Sequence, residues 1–118
     1  MDRARIIALL TSATTVVPAL AQNTPFWYGL VDGPASLQDN CRDIAIAQDG
    51  SVIATGDVWD VDGTWSVGTA RFSPAGQLLW SRVFSRPSAS PHNERGDHVA
   101  VDDAGNAYVL GPSFGGNP

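Results

Sequence analysis

The sequence of 118 residues contains no lysine, one glutamate and one methionine. Its seven basic residues are all arginine, and twelve acidic residues bring the formal net charge to -5 at pH 7. Because phosphate backbones are bound by clusters of basic side chains, a chain without a basic run is unsuited to nucleic acid. The scarcity of lysine, glutamate and methionine also removes strong helix formers. We therefore expect no nucleic-acid partner and little helix.

Cysteine and histidine are too few for a disulfide framework or a zinc site. The single cysteine, Cys41, cannot form a disulfide within the chain, and the two histidines do not complete a zinc ligand set. Free cysteine is among the residue types most often buried, so we expect Cys41 to be buried. The alternative is a disulfide with a cysteine of another chain. No cofactor is predicted.

Glycine and proline are abundant, with 12 and 8 residues respectively. These residues favour tight turns, and the hydrophobic fraction of 43% is high enough for a folded domain. Together they predict strands that are joined by turns, and thus an all-β fold.

The first 21 residues match the pattern of a secretory signal peptide. Arg3 and Arg5 precede an apolar stretch, and Ala19-Leu20-Ala21 supplies small residues where a signal peptidase cleaves. A membrane span is the alternative, but residues 6–21 are interrupted by serine and threonine and are shorter than the roughly 20 apolar residues of a span. The pattern predicts cleavage after Ala21, a mature chain of residues 22–118, and a secreted, periplasmic or cell-surface location.

Two segments of the mature chain repeat at an offset of 55 without a gap. Residues 44–56 read IAIAQDGSVIATG, and residues 99–111 read VAVDDAGNAYVLG. Each segment predicts a strand, a turn with glycine, and a second strand. A shorter match sets WYGLV from Trp27 against WSRVF from Trp80. A repeat of this length is typical of a β-propeller blade.

The complete unit, residues 42–87, contains four predicted strands, at 43–47, 51–61, 64–72 and 77–84. Asp62-Gly63 predicts a two-residue hairpin turn of type I′, and residues 73–76 predict a type I turn. The last strand of one blade, at residues 26–31, comes before this unit, and the start of another blade, at 97–111, follows it. The predicted fold is a partial β-propeller of four-stranded antiparallel blades.

Three stretches resemble the bacterial SBBP-type β-propeller repeat. They are DIAIAQDGSVIATG from Asp43, ARFSPAGQLLWS from Ala70 and GDHVAVDDAGNAYVLG from Gly96. The resemblance covers roughly residues 26–111 and implies a secreted or surface-associated protein without invariant catalytic residues. Because a closed propeller needs about 200 residues or more, we expect an N-terminal fragment of a longer protein. Its open sheet edges predict self-association.

Trp59 and Trp65 are the candidate binding residues. They flank the predicted turn at Asp62-Gly63, whereas Trp27 and Trp80 recur in the repeat and are expected to pack within blades. Exposed tryptophan rings suit a protein or carbohydrate partner. The favoured function is therefore a non-catalytic module that is structural or binds such a partner.

Two alternatives remain open. Asp57, Asp60 and Asp62 could hold calcium in a stabilised surface repeat, although their spacing does not match an EF-hand. Residues 75–80 are similar to the G-x-x-x-W docking motif of quinoprotein propellers, whose active site would lie in other blades. His98 stands beside Asp97, but no G-x-S-x-G motif accompanies them. We predict no enzyme activity for this chain.

Overall fold

The computed structural model describes residues 27–87 and 92–115, together with the backbone of residues 6–9. Every regular element in these residues is a strand, which confirms the all-β prediction. The strands are β1 (Ile6–Leu9), β2 (Tyr28–Val31), β3 (Asp39–Ile46), β4 (Val52–Trp59), β5 (Trp65–Phe72), β6 (Leu78–Phe84), β7 (Asn93–Glu94), β8 (His98–Val101), β9 (Ala107–Leu110) and β10 (Ser113–Phe114). Apart from the backbone of β1, which pairs antiparallel with β2, the predicted signal peptide lies outside the described residues. None of the described residues forms a helix with the length and apolar character that a membrane crossing requires.

Strands β3 to β6 form an antiparallel meander within a six-stranded sheet. All four strands predicted for the repeat unit are present, although β3 begins earlier, at Asp39, and β4 ends earlier, at Trp59. The early start of β3 is accommodated by a bulge between Cys41 and Asp43. Beyond the end of β6, the short strands β7 and β10 extend the sheet, and Trp65 of β5 pairs with Asn93 of β7.

Strand β4 is buried on both faces and forms the centre of the core. On one face, Val52 and Ala54 lie in apolar clusters against which Val31 of β2 packs. On the other face, Ile53 packs with Val99 of β8. The continuous burial of β4 from Val52 to Val58 therefore reflects cover from two sides, whereas β5 alternates between buried and half-buried residues.

The β8–β9 hairpin has the same register as the β3–β4 hairpin. Asp43 pairs with Thr55 in the first hairpin, and His98 pairs with Leu110 in the second, so a shift of 55 relates the two pairs. The next three pairs of each ladder follow the same shift. The second hairpin packs on the β3–β4 side of the sheet, where the Val99 N–H donates to Asp43 Oδ2 at 2.9 Å.

Four tight turns share one geometry. In each turn, the N–H of the first residue donates to the carbonyl of the fifth residue. The N–H of the glycine at the fourth position donates to the carbonyl of the first residue. The four glycines have φ between 80° and 85°: Gly50, Gly63, Gly76 and Gly105. This pattern is a three-residue loop in which a type I turn is followed by a glycine bulge.

The type I turn predicted at residues 73–76 is confirmed, but the type I′ turn at Asp62-Gly63 is wrong. A type I′ turn needs positive φ at both residues, and Asp62 does not have it. Its carboxylate instead accepts the Thr64 N–H at 3.0 Å, and this bond supports the longer loop.

Cys41 is exposed, so the expectation that it is buried is wrong. The residue lies at the bulge of β3, which is the edge strand of its sheet among the described residues. Position in the sheet, rather than residue type, therefore decides its environment.

Gly56 and Gly111 occupy equivalent places where two backbone segments meet. A Cβ at Gly56 would overlap the carbonyl oxygen of Asn40, and a Cβ at Gly111 would overlap that of Arg95. Because the obstacle is backbone, we expect G56A and G111A each to lower the free energy of unfolding by about 3 kcal/mol or more. Urea denaturation measures the loss.

Gly63 provides the matched control for these two variants. It has φ of 81°, but a Cβ at this residue would have no neighbouring atom within 4 Å. G63A therefore adds only backbone strain, about 1–2 kcal/mol. Equal losses in G56A and G63A would show that the close approach at Gly56 does not exist.

Candidate functional site

Trp59 and Trp65 face each other at the end of the β4–β5 hairpin. They are paired across the two strands, and their rings meet edge to face, with centroids 4.9 Å apart at an interplanar angle of 83°. Both residues are half-buried. The structure thus brings the two candidate binding residues into one aromatic pair.

A cleft of about 280 Å³ opens beside Trp65, where β7 and β10 extend the sheet. Besides Trp65, its lining residues are Asn40, Arg42, Asp57, Asn93, Glu94, Arg95 and Phe114. Trp59 does not line the cleft and instead supports the Trp65 ring. Of the two tryptophans, only Trp65 can therefore contact a ligand in this cleft.

Asp57 is buried, and two side chains of β3 satisfy its carboxylate. Arg42 Nε donates to Oδ1, and Asn40 Nδ2 donates to Oδ2 at 2.8 Å. The register of the sheet explains the contact, because Asn40 pairs directly with Asp57 across β3 and β4. A buried carboxylate needs such partners, since burying it alone would be costly.

The ion pairing continues from Arg42 to the far wall of the cleft. Arg42 Nε lies 3.8 Å from Asp97 Oδ1, and Asp97 accepts two hydrogen bonds from Arg95, at 2.8 and 3.2 Å. The Arg95 guanidinium carbon lies 5.5 Å from the centre of the Phe114 ring. The side chains that line the cleft therefore hold one another in place.

The loop carboxylates proposed as calcium ligands are each occupied by separate protein partners. Asp60 accepts a hydrogen bond from Ser66 Oγ at 3.0 Å. Asp62 accepts hydrogen bonds from the N–H and the hydroxyl group of Thr64. The hydrogen bond from the Thr64 hydroxyl is the main cause of the lowered pKa of Asp62. Within residues 27–87 and 92–115, no group of three carboxylate, histidine or cysteine side chains could hold a metal ion. The calcium alternative thus has no geometric support in this part of the chain.

The histidine–carboxylate pair suggested by the sequence does not form. Asp97 is bound to Arg95, whereas His98 is 75% exposed in its side chain and lies 3.8 Å from Asp43 Oδ2. Sequence reasoning missed a different contact, in which His92 Nε2 lies 3.0 Å from Ser85 Oγ. No motif marks this pair, because its members come from opposite sides of a loop. Neither residue is among those that line the cleft.

Sequence reasoning also missed the buried residue Glu94. Its carboxylate accepts the Arg86 N–H at 2.9 Å and the Ser113 hydroxyl at 3.4 Å. These contacts tie β7 to β10 and to the chain that leaves β6. Glu94 thereby supports the wall of the cleft that carries Phe114 of β10.

Comparison with protein-family models gives no match for this chain, and comparison with curated proteins gives none either.

Asp39 positions the backbone of Trp59. Its buried carboxylate accepts the Trp59 N–H at 3.2 Å and the Gly33 N–H at 2.7 Å, which clamps the loop after β2 to the end of β4. Burial raises the pKa of Asp39, although the two backbone hydrogen bonds oppose this rise.

We expect D39N to lower the free energy of unfolding by about 1–3 kcal/mol, because one of the two backbone donors would face an amide NH₂ instead of an oxygen. The loss should depend on pH. With a raised pKa, the folded state holds the Asp39 proton more tightly than the unfolded state, which stabilises the wild type. This contribution is complete below the unfolded pKa of about 3.9 and is lost as pH rises through the folded pKa.

Urea unfolding of wild type and D39N across the acidic and neutral range measures this difference. The stability gap between the two proteins should be largest at low pH and should narrow as pH rises. A gap that stays constant with pH would contradict the raised pKa of Asp39.

Proposed function

We propose that this chain is an exported, non-catalytic β-propeller segment of the SBBP type that serves as a binding module. The observation that carries the proposal is the pair of hairpins, β3–β4 and β8–β9, which have one register at a shift of 55 and lie in two stacked sheets. Propellers are built by this kind of repetition, in which successive four-stranded sheets pack against one another.

The close backbone approaches support the same proposal. Gly56 approaches Asn40 in the first hairpin, and Gly111 approaches Arg95 in the second. A shift of 55 residues relates Gly56 to Gly111 and Asn40 to Arg95. The equivalence thus extends beyond the strands to the bulged segment that precedes each hairpin.

The exposed apolar side chains of β9, in the second hairpin, support self-association, which is part of the proposal. Ile53 and Thr55 of β4 are fully buried, whereas the equivalent residues of β9, Tyr108 and Leu110, are 60% and 70% exposed. In the first hairpin, β5 pairs with β4 and Val99 of β8 packs on Ile53, whereas among the described residues no strand pairs with β9 on the side equivalent to β5. An uncovered apolar edge of this kind favours pairing with another strand.

The cleft beside Trp65 supports binding rather than catalysis. Asp57 is committed to Arg42 and Asn40, and both oxygens of Asp97 are committed to Arg95. The oxygens of both carboxylates are thus occupied by donors from the protein itself rather than presented to a substrate. We therefore assign the cleft to a protein or carbohydrate partner.

Hydrogen exchange tests the stacked arrangement. The Val99 amide donates to Asp43 across the two sheets, so it should exchange slowly in the wild-type protein. In D43A this acceptor is lost, and we expect exchange at Val99 to accelerate about tenfold.

The control is D103A, which removes another carboxylate between the hairpins, one that accepts a hydrogen bond from Gln48 at 3.3 Å. It should leave the Val99 amide unchanged. Rapid exchange at Val99 in the wild type would overturn the proposed blade stacking.

Export is tested by expression of the full chain in a bacterial host, followed by N-terminal sequencing of the protein from the periplasm or medium. We expect the mature chain to begin at Gln22, because a signal peptidase would cleave after Ala21. An L10R substitution should block export by interrupting the apolar stretch, whereas L37R, beyond the cleavage site, should not. Exported protein that still begins at Met1 would contradict the signal peptide.

A further inference from the structure

We propose that the cleft beside Trp65 binds an uncharged saccharide; this inference rests on the proposed binding function and names the ligand of that site. The cleft volume of about 280 Å³ lies just below the range that is usual for ligand pockets, roughly 300–1,000 Å³. It therefore suits a short saccharide or the end of a glycan, rather than a large folded partner.

Two rings form the aromatic side of the cleft, and neighbouring residues hold Trp65 in position. The Trp65 ring packs against Trp59, and its backbone N–H donates to Asn93 Oδ1 at 3.0 Å. Phe114, which is 51% exposed, supplies a second ring. Large rigid rings provide contact area with little loss of conformational entropy, and they suit the C–H faces of a sugar.

Each polar side chain of the cleft uses some of its atoms in hydrogen bonds within the protein. Each also keeps one or more N–H donors that could bind a ligand. Asn93 uses Oδ1 and retains Nδ2, Arg42 uses Nε and retains its terminal nitrogens, and Arg95 uses Nε and Nη2 and retains Nη1. Arg42 and Asn93 are exposed and Arg95 is half-buried, so solvent and a ligand can reach these side chains. They form a preorganised set for hydroxyl oxygens.

The charges around the cleft select against an anionic sugar. Arg42 is neutralised by Asp57, and Arg95 by Asp97, so neither guanidinium is free to pair with a carboxylate or sulfate of the ligand. The net charge of -5 adds long-range repulsion. An uncharged saccharide can accept the retained hydrogen bonds without breaking either ion pair.

The test is a titration of the protein with four neutral disaccharides (maltose, cellobiose, lactose and diacetylchitobiose) and one anionic one, digalacturonate. Calorimetry and the NMR signal of the Trp65 indole report binding. We expect saturable binding of at least one neutral disaccharide and weaker or no binding of digalacturonate. W65A should weaken the affinity about tenfold or more, and W65F should retain part of it.

Y108A is the matched control, because Tyr108 is an exposed aromatic residue outside the cleft. It should leave the affinity unchanged. N93A, which removes one retained donor, should weaken binding even if W65A does not fold. Absence of saturable binding to all four neutral disaccharides, tighter binding of digalacturonate, or unchanged affinity in a folded W65A would each overturn the saccharide site.

Different results would overturn the proposed propeller segment and the proposed saccharide site. Slow exchange at the Val99 amide without saccharide binding would overturn the proposed saccharide site but not the proposed propeller segment. Rapid exchange at Val99 would overturn the propeller segment whatever the protein binds.

Discussion

Side chains that pack on both faces of β4 hold the described part of the chain together. Val52 and Ala54 face the side on which Val31 packs, and Ile53 faces Val99 of the second hairpin. Each fully buried valine or isoleucine side chain stabilises a fold by roughly 1.5–3 kcal/mol. Because the two covers come from segments before and after the meander, the sheet cannot complete its core without both of them.

The polar cleft is a consequence of this burial. The buried part of β4, from Val52 to Val58, includes Asp57, and a carboxylate in that position requires charged and hydrogen-bonding partners. Arg42 and Asn40 supply them, and Arg42 also approaches Asp97, which holds Arg95 beside Phe114. One buried charge thus organises a series of side chains that reaches from the sheet to the opposite wall of the cleft.

Small residues decide how closely the segments approach. Gly56 and Gly111 each lie against a backbone carbonyl, and Gly29 lies against the Phe72 ring, so a methyl group at any of them would collide with a neighbour. Glycine at the repeated positions therefore reflects backbone contact as well as turn geometry.

The sequence by itself determined the all-β class, the four strands β3 to β6 and the glycines of the turns between them. These features are local, because strand preference and turn geometry depend on a few neighbouring residues. It also singled out Trp65, but neither the cleft beside that ring nor the partners of Asp57. Only the tertiary structure decided those, together with the exposure of Cys41 and the Ser85–His92 contact. Such features depend on strand register and on the stacking of distant segments, which short-range patterns do not specify.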